Sequence, residues 1–278
     1  MLKKITPHDF ISEPAAAAAL CILVLLLLIA ALAPMVAPFD PLAVNLDELR
    51  QPPSAAHPFG TDSKGRDVLS RVIYGSRISL LVGFAAAGLS MLIGLVLGMT
   101  AGYFGGKVEA FLSQVFDVFL AFPSLLLAIG ISAVMAPGLL SAMLAITLVG
   151  WAGFARLVRG ITISLKEQPY VEAARALGAS PIRILYRHIL PNALPLIIVS
   201  GSLRVGGFIL IEAALSFLGL GAQPPTPTWG AMISLSRGYI NSAPWTVVFP
   251  GIAISITVIS FNIIGDFLRD RLDPRMRT

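Results

Sequence analysis

The sequence predicts an all-α fold, a polytopic bundle of six transmembrane helices, and three observations carry that reading. Six apolar stretches are each long enough to cross hydrocarbon, charged residues make up only 13% of the chain against 56% hydrophobic, and the basic residues gather beside the apolar segments. A soluble domain carries about 25% charged residues, so most of this chain is expected to face lipid. With 278 residues and about 20 needed per crossing, little remains for a separate soluble domain.

The apolar stretches fall at residues 15–37, 78–104, 111–136, 139–158, 193–218 and 246–264. The first follows Lys3 and Lys4 and contains Ala31-Leu32-Ala33, which looks like a signal-peptide cleavage site. Its apolar core exceeds the roughly 7–15 residues of a signal peptide, so it is read as a span. With the N-terminus placed in the cytoplasm, thirteen Lys and Arg lie inside and six outside, with Arg204 within a span. The positive-inside rule therefore puts both termini in the cytoplasm. Residues 1–77 are expected to form a tail, the first span and an outer segment, and residues 78–278 a core of five spans with a cytoplasmic loop at about 163–192.

The net charge of +5 does not point to nucleic acid, because the cations sit where they anchor and orient helices. Cys21 is the single cysteine, and His8, His57 and His188 lack metal-ligand spacing, so neither a disulfide nor a metal centre is expected.

In the outer segment, residues 59–67 lead into Val68, Leu69, Val72 and Ile73, an apolar stripe expected to lie along the membrane interface. In the second span Gly94, Gly98 and Gly102 recur every four residues on one helix face, where they permit close approach of another backbone. The cytoplasmic loop reads as two short helices joined by a turn. Gly178 suits a left-handed position after the first, Ser180 can cap the second, and Pro181 suits its first turn. Glu172, Ala173 and Ala174 place one charge and two methyl groups at an exposed helix start, which fits either a groove on another protein or an ordinary hairpin.

Glu172-Ala173-Ala174, with Gly178 six residues after the glutamate and then Leu190-Pro191, resembles the "EAA" loop of the membrane subunits of ATP-binding-cassette (ABC) importers. His188 stands where that pattern has isoleucine. Three further stretches resemble the second, C-type permease of the peptide and nickel branch: Gly60-Thr61-Asp62 with residues 65–71, residues 219–230, and residues 261–274. The resemblance implies a type I ABC-importer permease in a bacterial inner membrane. It implies a second homologous permease subunit, two cytoplasmic ATPase subunits that bind ATP and Mg, and a periplasmic substrate-binding protein. The EAA loop, with Tyr170, Glu172, Ala173, Ala174, Gly178, Leu190 and Pro191, would dock on the ATPases. This chain lacks the phosphate-binding pattern G-x-x-x-x-G-K-[ST], so no cofactor and no catalytic residue is expected in it.

Gln223, Pro224, Pro225 and Trp229 lie on a stiff proline-rich outer loop and are candidate contacts for the binding protein, or a simple cap over the span ends. Arg204 and Glu212 are ionisable residues within the fifth span and are candidates for the translocation path. Eight positions separate them, about 12 Å of rise and about 80° of rotation, so each is expected to face a partner chain or a wet cavity rather than the other. An ion-coupled secondary transporter is the rival reading, with Glu212 and Asp117 as its intramembrane carboxylates. Dipeptides, longer peptides, glutathione-like compounds and chelated nickel all remain open as cargo.

Overall fold

The computed structural model describes residues 13–272. These form eleven α-helices, with one isolated bridge between Thr61 and Asp67 and no strand among the described residues. They are α1 (Pro14–Ala31), α2 (Ala33–Val36), α3 (Val68–Phe104), α4 (Gly106–Leu120), α5 (Ser124–Val134), α6 (Leu139–Lys166), α7 (Pro169–Ala176), α8 (Pro181–Ile184), α9 (Leu190–Phe217), α10 (Trp229–Ser236) and α11 (Trp245–Leu272).

Five helical segments are long and apolar enough to span a membrane, and α4 with α5 makes a sixth if the pair is one span. The pair is bent by 86°, so the continuous crossing expected at 111–136 is replaced by two arms. Pro123 accounts for the break: it offers no N–H, and its ring drives Phe122 away from helical angles.

The apolar stripe of Val68, Leu69, Val72 and Ile73 lies in the first turns of α3, which runs 37 residues without interruption. The boundary drawn at residue 77 therefore falls inside a helix. Asp67 fixes the start, its carboxylate accepting from the Ser70 N–H at 2.7 Å as an N-cap.

The core is built on the packing of α3 against α6. A Cβ on Gly98 would come within 2.5 Å of the Ala155 carbonyl oxygen, and one on Gly102 within 2.7 Å of the Arg159 carbonyl oxygen. The glycine ladder read from the sequence is thus the seam along which these two backbones meet. The outward faces of the long helices carry Leu25, Leu28, Leu81, Leu92, Val96, Ile252 and Ile256, an exposed apolar surface fit for lipid or a partner chain.

Residues 38–67 fold into a cap over the N-terminal end of α3. Asp62 is its centre, accepting from the N–H groups of Lys64 at 2.8 Å and Arg66 at 3.1 Å and from Arg66 Nε at 2.7 Å. Arg71 reaches the same carboxylate at 3.5 Å and donates to the Pro41 carbonyl at 2.9 Å. His57 Nδ1 lies 2.9 Å from Asp67. Asp62, Arg66, Arg71 and Asp67 are all buried, so each charge must be met inside the cap; removing one partner of such a cluster costs about 3–5 kcal/mol.

Candidate functional site

The cytoplasmic-type hairpin forms as its turn chemistry dictates. At the end of α7 the Ala179 N–H donates to the Ala174 carbonyl at 3.1 Å and the Gly178 N–H to Arg175 at 3.0 Å, the paired bonds of a Schellman motif. Gly178 takes φ +79°, open to glycine at little cost. Ser180 Oγ accepts from the Arg183 N–H at 3.4 Å and Pro181 opens α8.

Val171, Ile184 and Ile189 are fully buried and pack with Met99, Val158 and Ile197, which fixes the hairpin to the ends of α3, α6 and α9. That anchoring turns the other face outward. Glu172 and Ala173 are exposed and Ala174 is half-buried, while Leu177, Ile182 and Tyr186 stand 89%, 78% and 74% exposed. A concavity of about 450 Å³ lies beside the turn, lined by Ala174, Leu177, Gly178 and the cationic Arg183 and Arg187. Tyr170 stacks obliquely on His188 with ring centroids 6.4 Å apart, and desolvation pushes its phenol up from the ordinary value. His188 therefore has a packing partner despite its departure from the motif.

Leu190 and Pro191 do not end the hairpin. A single wide turn over Leu185–Ile189 joins α8 directly to α9, so residues 181–217 form one helical unit and the loop's second helix is the foot of a span. Pro191 occupies the first turn of α9, where its missing N–H costs nothing.

Within the bundle Arg204 and Glu212 part company. Glu212 is fully buried, accepting from Ser216 Oγ at 2.7 Å and Ser79 Oγ at 3.2 Å, so its polar partners lie in this chain rather than in a neighbour or a wet cavity. Arg204 is half-buried and lines a cavity of about 240 Å³ between α4, α5, α6 and α9. Asp117, read as a relay carboxylate, instead pairs with Arg156, and Glu109 with Arg159 through Nε at 2.9 Å. These two pairs strap α4 to α6; sequence reasoning missed them because their partners lie 39 and 50 residues apart.

At the far end from the hairpin α9 ends in a second Schellman motif, with Gly219 at φ +79° and the Leu220 N–H donating to Leu215 at 2.9 Å. Gln223, Pro224 and Pro225 are exposed beyond it. Trp229 is not: it is fully buried, its indole donating to the Val72 carbonyl at 3.0 Å, and it belongs to the packing beneath the loop. A groove of about 570 Å³ runs between Pro225, Thr226 and Pro227 and the chain leaving α2 at Pro38–Leu42, with Tyr74 at its floor.

Comparison with known proteins follows the same lines. The family of binding-protein-dependent transport system inner membrane components matches residues 94–278, and the N-terminal transmembrane domain of oligopeptide transport permease C matches residues 6–53. The chain is 49% identical over 259 residues to the dipeptide transport system permease protein DppC of Alkalihalophilus pseudofirmus, covering 93% of this chain and 85% of that one. It is 46% identical over 232 residues to the glutathione transport system permease protein GsiD of Pectobacterium atrosepticum, covering 84% and 77%. Among solved structures, an inward-facing MetNI methionine ABC transporter chain superposes with TM-score 0.58 at 23% identity, covering 73% of this chain and 96% of that one. The last likeness is one of fold.

Proposed function

The chain belongs to the inner membrane components of binding-protein-dependent transport systems, and from that premise we propose that it pairs with a second permease chain to carry short peptides inward, driven by two cytoplasmic ATPase subunits. It is the non-catalytic, membrane-spanning subunit of an ABC transporter. Membership in this family displaces the secondary-transporter reading, and the pairing of Asp117 with Arg156 removes one of the two carboxylates on which that reading stood.

The observation that carries the mechanism is the continuity of the hairpin with a span. Its exposed face, with Glu172, Leu177 and Ile182, is the surface offered to the ATPases, and the helix on which Ile182 stands runs on through Arg204. ATP-driven closure of the ATPases displaces that foot and rocks the bundle between inward-open and outward-open states. Nucleotide acts through its unequal affinity for the two states. ATP and Mg are held by the partners.

The distribution of Lys and Arg supports a cytoplasmic position for both termini and the hairpin. Gln223, Pro224 and Pro225, with the groove beside them, then face the periplasm and present a stiff surface to a binding protein. The names of the relatives favour dipeptides and glutathione-like compounds as cargo.

The test is reconstitution of the complete complex with its binding protein in vesicles. Uptake should require ATP and both ATPases, and mass spectrometry of the purified binding protein should find a short peptide. Uptake that persists without the ATPases overturns the mechanism. Reporters fused at Thr278 and near Gln223 should report cytoplasm and periplasm respectively; the reverse would place the hairpin on the wrong face.

A further inference from the structure

Arg204 sits in a setting unlike that of the neighbouring cations. On α6, Arg156 and Arg159 are each met by a carboxylate of α4. No ion pair and no side-chain hydrogen bond reaches Arg204 from the described residues. Its guanidinium lies over the face of Phe154, 4.7 Å from the ring centroid, an attraction that orients the fork and leaves its N–H donors unused.

The surroundings are shaped to leave the fork room. A Cβ on Gly153 would come within 2.5 Å of Nη2, so in this rotamer the guanidinium rests directly against α6. Gly207 opens onto the same cavity with nothing within 4 Å of its Cβ direction, and Ser124 contributes to its wall. The volume of about 240 Å³ holds several waters at about 30 Å³ each. An unpaired cation at this depth is costly, and those found in spans commonly mark a substrate path.

We infer that Arg204 and this cavity form a binding step for the carboxylate of the cargo, an inference that rests on the peptide-permease reading above. A guanidinium fork matches a carboxylate with two parallel hydrogen bonds, and a short peptide presents its terminal carboxylate whatever its side chains. The site thus reads the feature that different cargoes share, and the apolar wall formed by Leu203, Phe208 and Ile211 accepts the variable remainder.

The experiment uses the complete complex with its binding protein in vesicles, with dialanine as the probe. In a Cys21→Ala background, Gly207→Cys and separately Ser124→Cys place a thiol on opposite walls of the cavity. Each is treated with an anionic sulfonate thiol reagent and with a small neutral one, with Arg204 present and with Arg204→Gln. The anionic-to-neutral rate ratio should fall about tenfold in Arg204→Gln, and dialanine should slow modification during turnover. Dialanine uptake should fall about tenfold or more in Arg204→Gln, the loss expected for a charge-assisted pair, and recover in part in Arg204→Lys. Recovery of the assembled complex should match the parent.

Thiols that react with neither reagent in any nucleotide state of an active complex would mean that a partner chain covers Arg204, and the inference falls. Full dialanine uptake by Arg204→Gln overturns it equally, with the permease reading intact. A parent complex that takes up no dialanine removes the peptide reading itself, and the inference with it.

Discussion

The indole Nε1 of Trp245, at the start of α11, donates to the carbonyl oxygen of Thr61 at 3.1 Å, joining the last helix to the cap of residues 38–67 across 184 residues. Phe59 stacks on Phe249 beside it with ring centroids 3.8 Å apart. The cap is therefore bound to the N-terminal ends of both α3 and α11.

Trp245→Phe keeps a ring in place and removes the donor, which should cost about 1 kcal/mol. Gly60→Ala should cost more, since Gly60 sits at φ +71° and a Cβ there would lie 2.7 Å from Trp245 Nε1. Melting of the purified complex in detergent checks both; parent-like melting of both variants would show that the cap does not hold α11.

Gly98→Val should force α3 away from the Ala155 carbonyl of α6 and destabilise by about 1–3 kcal/mol or more. Gly88→Val is the control, because that position is exposed and nothing lies within 4 Å of its Cβ direction. Both variants can be followed by yield and melting temperature. Equal behaviour would remove the close-packed seam as the reason for glycine at position 98.

Glu212→Leu should leave the buried Ser79 and Ser216 hydroxyls without their shared acceptor, at about 1–3 kcal/mol for each group left unpaired. Glu212→Gln retains a carbonyl that can accept from one of them and should melt between the parent and the leucine variant. A glutamine variant less stable than the leucine variant would contradict the hydrogen-bonded role.

Gly178→Val places a β-branched residue at φ +79° and should add about 1–2 kcal/mol of local strain, with no clash because nothing lies within 4 Å. Insertion and basal ATP hydrolysis should persist. Stimulation of hydrolysis by the loaded binding protein should be lost, as it should in Glu172→Ala, whose exposed carboxylate in the first turn of α7 contributes at most about 1 kcal/mol to the helix. Undiminished stimulation and uptake in both variants would sink the coupling role of the hairpin.

How far the sequence could be read depended on the range of the interaction. Gly178, Ser180 and Pro181 act within a few residues of themselves, and the turn they predict is the turn that forms. The ladder at Gly94, Gly98 and Gly102 was legible because a period of four repeats along one face. The bend after Leu120 was written in Pro123, but the apolar run around it masks the break when only hydropathy is counted. The early start of α3 was hidden differently: Ser70 and Arg71 look like surface residues and are buried where Phe39, Pro41 and Asp62 of the cap meet them. Ser216 lies one turn from Glu212 and could have been read as its partner, but Ser79 is 133 residues from Glu212 and Val72 157 from Trp229, so no local pattern could have supplied those two contacts.

The absence of a loop between α8 and α9 has a mechanical consequence. Residues 181–217 amount to a rod of about 55 Å at 1.5 Å per residue, against about 30 Å of hydrocarbon. A tilt of about 1° then sweeps one end through about 1 Å relative to the other. Pro195 and the wide turn at Leu185–Ile189 are the compliant points of this lever, and both lie on the hairpin side of Arg204. Stiffening either joint would change how much of a stroke made at the foot arrives at the guanidinium.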